Sequence, residues 1–230
     1  MIDSPPNGEN RDSTLNWIAQ LPAAVEAEVR AALKPRPIQA GETIYRFGEE
    51  ADAIYQVTSG SVQTSNVTAE GKEILLHIMQ PGECFGEIGI IEGSLRAQNA
   101  EAREDGELAA MNKKEFNELR KRHPEINEAI LQMQCTRLRM VFMFIEDSAL
   151  RPLRQRLARR LVLMATMMGA QKGEQIFIKL TLSQEELGKM LGASRQSINK
   201  ELSYLEKEGI VDKSRDGICI LDPAALNAIT

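Results

Sequence analysis

Two short segments with hydrophobic residues at helical spacing lie between residues 183 and 211. The first opens with Ser183 and Glu186, the spacing of a capping box in which each side chain bonds the other residue's backbone amide. Gly192 can take the left-handed backbone of a tight turn, and Ser194 can cap the next helix. The inward-facing positions are Leu187, Met190, Leu191, Ile198, Leu202 and Leu205. The pattern predicts a helix-turn-helix.

Polar side chains at the start of the second predicted helix lie opposite its apolar stripe. The residues expected to meet a ligand there are Ser194, Arg195, Gln196, Asn199 and Lys200. Arginine can form a bidentate pair with guanine, and glutamine or asparagine with adenine, when such a helix enters the major groove. This indicates double-stranded DNA as the partner, with an ordinary helical hairpin whose polar face is solvated as the alternative.

Two apolar runs after this segment, 209–211 and 217–221, flank a polar pentad that ends in an Asp216-Gly217 turn signal. The arrangement predicts a short hairpin, or wing. It favours a winged helix-turn-helix over the plain hairpin.

Residues 37 to 110 consist of short apolar segments separated by closely spaced glycines, which predicts an antiparallel roll or barrel. The clearest strands are 44–47, 53–57, 60–64 and 73–78. A helical segment at 15–33, interrupted at Pro22, precedes them, and the polar residues 1–14 are expected to be disordered.

A long helix is predicted from Pro124 to about Ser148, because no other proline and no glycine interrupts it. Its apolar positions follow a spacing of three and four residues, which is typical of a coiled-coil seam, although a helix lying only on its own roll is the alternative. The residues expected at a dimer interface are Leu131, Leu138, Val141, Phe142 and Ile145, with Gln134 and Ser148 at polar seam positions. Met133, Met140, Met143 and Phe144 widen the apolar surface. A hinge is expected at 150–153, where Pro152 breaks the helix.

Charge is divided unequally between the two parts of the chain. Residues 1–150 carry 15 Lys and Arg against 24 Asp and Glu, a net charge of -9, whereas residues 151–230 carry 13 against 9, a net charge of +4. This indicates that the second part meets phosphate. Candidate phosphate contacts are Arg154, Arg159, Arg160 and Lys179, with a solvated helix face as the alternative.

Within the roll, residues 81–97 (PGECFGEIGIIEGSLRA) are the second candidate ligand-binding segment. Gly86 and Gly89 can let backbone approach a ligand, a short helix can point amides at an anion, and Arg96 adds a cation nine residues after Glu87. Phosphate together with a ribose hydroxyl satisfies both charges. A Glu87–Arg96 ion pair that ties a loop to the roll is the alternative.

The sequence offers no residues in the patterns typical of metal binding, catalysis or membrane spanning. Cys84, Cys135 and Cys219 are widely separated, and His77 and His123 have no third ligand nearby, so no metal site is predicted. No catalytic arrangement is evident, and the chain is not expected to be an enzyme. No apolar run reaches the roughly 18 residues of a membrane span, which indicates a cytoplasmic protein with no membrane partner.

The glycine-rich roll, the FGE cassette with its downstream arginine, the His-Pro before a long helix and the SRQSINKEL segment resemble bacterial transcription regulators of the cyclic-AMP receptor (Crp/Fnr) family, from about residue 20 onward. The resemblance implies an α+β chain with a cyclic-nucleotide-binding-like β-roll at 15–123, a dimerisation helix and hinge at 124–150, and a winged helix-turn-helix at 151–230. It implies a homodimer that binds a pseudo-palindromic operator and contacts RNA polymerase.

The resemblance also implies an effector site. Glu87 would hold a ribose hydroxyl and Arg96 a phosphate, and the neighbouring cassette positions are Gly86, Ile88, Gly89 and Ala97. Cyclic-AMP-binding members carry Ser or Thr where Ala97 stands, and hydroxyl residues where Val141 and Phe142 stand. These departures disfavour cyclic AMP and leave a cyclic nucleotide as a candidate effector, with another ligand, or a site that is active without a ligand, as the alternatives. An effector-independent regulator, or a β-roll that regulates an enzyme, is the alternative.

Overall fold

A computed structural model describes residues 15–173, 175–179, 183–214 and 217–230. The chain forms two compact units, which divide between Met140 and Val141. Residues 1–14, for which the sequence predicts disorder, lie outside the described residues.

The first unit begins with a short 3₁₀ helix and a helix α1, separated at Pro22 as the sequence predicts. Eight strands and three further helices follow. The 3₁₀ helix is Ile18–Gln20, and the helices are α1 (Ala23–Ala32), α2 (Glu87–Glu92), α3 (Lys113–Arg122) and α4 (Pro124–Leu150), the last of which continues into the second unit. The strands are β1 (Lys34–Ile38), β2 (Thr43–Tyr45), β3 (Ala53–Ser59), β4 (Val62–Val67), β5 (Glu73–Met79), β6 (Cys84–Phe85), β7 (Asn99–Ala102) and β8 (Gly106–Asn112).

The strands pair antiparallel in two four-stranded sheets, ordered β1-β8-β3-β6 and β2-β7-β4-β5, which confirms the predicted roll. Strand β1 starts at Lys34, earlier than predicted, and contains Pro35 and Pro37. Since β1 is an edge strand, its prolines need not donate to a second neighbour.

Two hydrophobic clusters support this unit. One fills the roll with the fully buried side chains of Val57, Val62 and Leu108 and with the aromatic rings of β2, β3 and β6. The other joins the N-terminal segment to the start of α4 through Trp17, which lies against the ring of Phe116. Met133 is buried in this second cluster, so it belongs to the core of its own unit and not to the exposed surface of α4.

The second unit continues from the last turns of α4. Its elements are α5 (Leu153–Met168), β9 (Gly169–Lys172), β10 (Gln175–Lys179), α6 (Gln184–Leu191), α7 (Arg195–Lys207), β11 (Val211–Ser214), β12 (Gly217–Ile220) and α8 (Pro223–Ile229). The helix breaks at Pro152, as predicted, because this residue has an extended backbone and caps α5.

The predicted wing is the β11–β12 pair, although the turn at Arg215 and Asp216 lies outside the described residues. The wing is part of a larger sheet, ordered β11-β12-β10-β9, because a second hairpin at β9 and β10 pairs with β12. This second hairpin was not among the elements predicted from the sequence. Along the described stretches of the chain, no helix has both the length and the apolar character needed to cross a lipid bilayer.

Candidate DNA-binding and effector sites

The two helices of the helix-turn-helix, α6 and α7, have the caps that the sequence predicts. The Ser183 hydroxyl accepts from the Glu186 amide at 3.2 Å, and the Glu186 carboxylate accepts from the Ser183 amide at 2.6 Å. Gly192 ends α6 with a φ of 61°, in the left-handed region. Ser194 caps α7, and its hydroxyl accepts from the Ser197 amide at 3.1 Å. The turn geometry therefore follows from local sequence.

Gly188 allows α6 to lie directly against the turn. A Cβ atom at this position would lie 2.5 Å from the carbonyl oxygen of Ala193, closer than a Cβ atom can approach. We expect Gly188→Ala to destabilise the second unit by about 1–3 kcal/mol, the usual cost of overpacking a rigid contact. Urea unfolding followed by circular dichroism would measure this. Glu185→Ala, on the exposed face of the same helix, is the control and should change stability little.

Helix α7 buries one face and exposes the other. Ile198, Leu202 and Leu205 are at most 1% exposed, as predicted. The side chains of Arg195, Gln196, Asn199 and Lys200 are exposed, and within the described part of the chain none of them forms a hydrogen bond or ion pair. Four polar side chains on the first turns of α7 are therefore available to bind a ligand, and they lie next to the capping residue Ser194.

The other end of α7 is attached to its neighbours. Arg154 on α5 donates to the Glu201 carboxylate at 2.7 Å, and its guanidinium carbon lies 3.5 Å from the centroid of the Tyr204 ring. Lys213 on β11 donates to the Ser203 hydroxyl at 3.0 Å and forms an ion pair with Glu206. Arg154, considered above as a phosphate contact, is therefore engaged in fixing α7. The side chain of Lys179 lies outside the described structure.

In the β-roll, Arg96 is 3% exposed and holds the loops around the cassette together. Its guanidinium donates to the Gly86 carbonyl at 2.7 Å, to the Ala53 carbonyl at 2.8 Å and to the Asp52 carboxylate at 2.9 Å. It also lies 4.2 Å from the centroid of the Tyr45 ring. Burial raises the pKa of the Tyr45 phenol, so the ring beside Arg96 stays neutral.

Glu87 begins α2 and is 1% exposed. One of its carboxylate oxygens, Oε1, accepts from Arg137 and from Gln134, both on α4, and Arg137 also donates to the Cys84 carbonyl. The alternative to a ligand site was an ion pair between Glu87 and Arg96. The structure does not contain this pair, because Glu87 binds Arg137 and Arg96 binds Asp52. Arg137 was not among the predicted site residues, and Gln134 was predicted to lie in the dimer seam.

Two buried polar atoms of the cassette lack a partner within the described residues. They are Oε2 of Glu87 and Nε of Arg96. The nearby Cys84 thiol is not a nucleophile, because burial raises its pKa to about 12 and keeps it protonated at neutral pH. The cassette therefore offers a buried carboxylate oxygen that can accept one more hydrogen bond.

The cassette glycines are required by packing within the protein. Gly86 has a φ of 87°, and a Cβ there would lie 3.0 Å from Nη1 of Arg96. A Cβ at Gly89 would lie 2.8 Å from the Cβ of Ala51. Ligand approach to these glycines stays a prediction, as do contacts with Ile88 and Ala97, whose side chains are exposed.

Helix α4 carries an exposed apolar stripe. The five residues predicted for a dimer interface are between 49% and 59% exposed in the single chain, and they are Leu131, Leu138, Val141, Phe142 and Ile145. Gln134, one seam position, instead donates to Glu87. Among the described residues no cluster of three or more metal-ligating side chains is present.

Comparison with known proteins gives two family matches. Residues 35–123 match the model of the cyclic nucleotide-binding domain, and residues 155–229 match that of the Crp-like helix-turn-helix domain. A curated relative, the CRP-like cAMP-activated global transcriptional regulator of Mycobacterium tuberculosis, is 29% identical over 89% of this chain and 91% of its own length.

Two solved structures are similar over most of the chain. FixK2 from Bradyrhizobium japonicum has a TM-score of 0.76 at 20% identity and covers 86% of this chain and 96% of its own, so this likeness concerns the fold. A CRP-family transcriptional regulator from Thermus thermophilus has a TM-score of 0.69 at 27% identity and covers 84% of this chain and 95% of its own. With both halves matched in order, the chain belongs to the Crp/Fnr family of DNA-binding transcription regulators.

Proposed function

We propose that this chain works as a homodimer that binds a pseudo-palindromic DNA operator and regulates transcription under the control of a ligand at the β-roll. The observation that supports it most directly is the first part of α7, where Arg195, Gln196, Asn199 and Lys200 are exposed and form no hydrogen bond or ion pair with any described residue, while the opposite face is buried. These groups suit the edges of base pairs in the major groove. RNA polymerase is a further proposed partner, by analogy with the family.

The exposed stripe on α4 supports the homodimer. Leu138, Val141 and Ile145 continue the heptad spacing on one face of the helix and lie about half exposed to solvent in the single chain. A second copy of the helix would cover them, because a two-fold seam brings the same patch of each chain together. Such a seam sets two recognition helices in inverted relation, with half-site centres about 34 Å apart, one turn of DNA.

The cassette supports a ligand with a hydroxyl donor. Oε2 of Glu87 is buried and has no partner among the residues that the structure describes, and an unsatisfied buried acceptor costs about 1–3 kcal/mol. A ribose hydroxyl could donate to it, and cyclic nucleotides carry both this group and a phosphate for the Arg96 side. The M. tuberculosis relative is named as cAMP-activated. Here Ala97, Val141 and Phe142 lack hydroxyl groups, which disfavours cyclic AMP itself.

Arg137 supports a route from this ligand to the dimer seam. It pairs with Glu87 in the cassette and directly precedes Leu138 of the proposed seam. A ligand that binds Glu87 changes the environment of Arg137, and it can shift the protein between two arrangements of α4 only by binding one of them more tightly. Glu87 and Arg137 are therefore the proposed coupling pair.

Selection of bound sequences from random duplex DNA, with and without cyclic AMP and cyclic GMP, tests the proposal. We expect an inverted repeat with half-sites about one helical turn apart to be enriched. Calorimetric titration with each nucleotide would then show whether occupancy changes operator affinity. Absence of any sequence preference would contradict the DNA-binding proposal, and unchanged operator affinity at saturating nucleotide would support effector-independent binding with respect to these two ligands.

Arg195 is expected to read a base. We predict that Arg195→Ala loses about 1–3 kcal/mol of discrimination between the selected operator and scrambled DNA, while nonspecific binding persists. Fluorescence anisotropy at fixed salt would measure both affinities. Lys207→Ala is the matched control, since it also removes one exposed cation from α7 but at the other end. Equal losses on both DNAs for Arg195→Ala would indicate a phosphate contact instead.

A further inference from the structure

A charged cluster spans the corner between α4 and α5. Asp147, in the last turn of α4, uses both carboxylate oxygens: Oδ1 accepts from Nε of Arg151 at 2.9 Å, and Oδ2 forms an ion pair with Arg159, whose Nε lies 3.1 Å away. The three side chains are between 19% and 30% exposed. Because Arg159 lies in α5, the carboxylate connects two helices that the chain itself joins only through Arg151 and Pro152.

Among the described residues, no backbone hydrogen bond joins α4 to α5 at this corner. On the α4 side the Arg151 amide donates to the Asp147 carbonyl, and on the α5 side the Arg156 amide donates to the Pro152 carbonyl. Each of these bonds stays within its own helix. An aspartate near a helix C-terminus is also disfavoured by the helix dipole. Its ion pairs with Arg151, four residues further on, and with Arg159 on α5 offset this cost.

Movement at this corner would be carried to α7. Leu157, Ala158 and Leu161 of α5 are fully buried in the second unit, and Arg154 attaches α5 to Glu201 of α7. With a rise of 1.5 Å per residue, a rotation of about 10° moves a point roughly 20 Å from the corner by about 3.5 Å. This is close to the spacing of about 3.4 Å between successive base pairs.

We infer that Asp147 is a positioning residue: by binding Arg159 across the corner, it fixes the angle between the dimerisation helix and α5, and thereby the half-site spacing that the dimer accepts. The inference rests on the proposed function. It deepens that function by assigning operator spacing, as opposed to base identity, to a side-chain contact at the corner. Partly exposed ion pairs of this kind add little to overall stability, so their removal should leave the fold and the dimer intact.

The test measures binding to a series of operators whose half-sites are moved apart or together in steps of one base pair. Asp147→Asn and Arg159→Gln should each reduce the preference for the best spacing by about fivefold or more, while the preference among bases within a half-site is kept. Asp147→Glu, which keeps the carboxylate, should restore most of the spacing preference. Sedimentation would show that the variants remain dimers.

Two control variants isolate the contact with α5. Glu146→Gln removes the neighbouring acid, which is 59% exposed and, among the described residues, forms an ion pair only with Arg151, at 4.0 Å. Arg151→Gln removes the pair that lies before the corner and keeps Arg159. Both should retain the wild-type spacing profile. A wild-type profile for Asp147→Asn, or equal flattening by Arg151→Gln and Arg159→Gln, would overturn the inference.

A second measurement separates this inference from the proposed function. If wild-type protein shows no sequence preference on any duplex, the proposed function fails, and the corner is then examined without DNA. Pulsed electron paramagnetic resonance would measure the distance between nitroxides at Met143→Cys on α4 and Asn227→Cys on α8, with Cys135 and Cys219 replaced by Ser and labelled chains diluted into unlabelled ones. A broader distribution in Asp147→Asn supports a fixing role for Asp147, and an unchanged one overturns it.

Discussion

Replacing Arg137 with Met is expected to destabilise the β-roll unit by about 3 kcal/mol. Arg137 is the cationic partner of Glu87, whose side chain is 1% exposed, and removal of one member of a buried ion pair leaves the other charge without compensation. Met keeps much of the aliphatic volume of the arginine stem, so the loss reports mainly on charge. Gln134 still donates to Glu87, which places the effect at the lower end of the range for such pairs.

The chain supplies its own reporter for this measurement. Trp17 is the single tryptophan, and it is buried in the first unit against Phe116. Its fluorescence during urea unfolding therefore follows the unit that contains Arg137. The double variant Glu87→Gln, Arg137→Met should recover most of the lost stability, because no buried charge remains, and Arg139→Met on the exposed face of α4 should have little effect. Equal stability of the wild type and Arg137→Met would show that Glu87 does not depend on Arg137 to compensate its buried charge.

The helix-turn-helix could be predicted from sequence because its determinants are local. The capping box joins Ser183 to Glu186, three residues away, and Gly188 meets the carbonyl of Ala193, five residues away. The buried stripe of α7 repeats at helical spacing. Each rule acts within one or two turns of helix, so a single sequence is sufficient to apply it.

The candidate effector site could be predicted only in part, because its contacts join residues that are distant in sequence. Glu87 and Arg96 could be identified from the cassette, but their partners are distant in sequence: Asp52 lies 44 residues from Arg96, and Arg137 lies 50 residues from Glu87. Gln134 stands at a heptad position of α4, where the spacing alone predicts a seam residue. Its side chain contacts Glu87 because of the tertiary packing of α4, which spacing alone does not reveal.

The strands that were missed have two different explanations. Lys34–Ile38 contains two prolines, which argue against a strand unless the strand is known to lie at a sheet edge. Gln175–Lys179 is short, but Ile176, Phe177 and Ile178 give it a β-type apolar run. This run could have been recognised from sequence, and with it the sheet that supports the wing.

Leu138→Glu is expected to abolish the dimer and to lower operator affinity by about 10²–10⁴-fold, the gain that two linked half-site contacts supply. Leu138 is 51% exposed in the single chain and stands in the middle of the proposed seam. In a two-fold seam each glutamate would lie near its own copy, and burying such a charge without a partner costs several kcal/mol. Sedimentation velocity would show the monomer directly.

Two further variants make this result specific to the seam. Val141→Glu, one seam position further along, should have the same effect as Leu138→Glu. Leu150→Glu adds the same charge to the same helix at a position outside the heptad stripe, where the leucine is 76% exposed, and it should leave the dimer intact. If Leu138→Glu monomers still bound the operator with wild-type affinity, one recognition helix would suffice for binding. The two-fold arrangement would then not be the source of operator affinity.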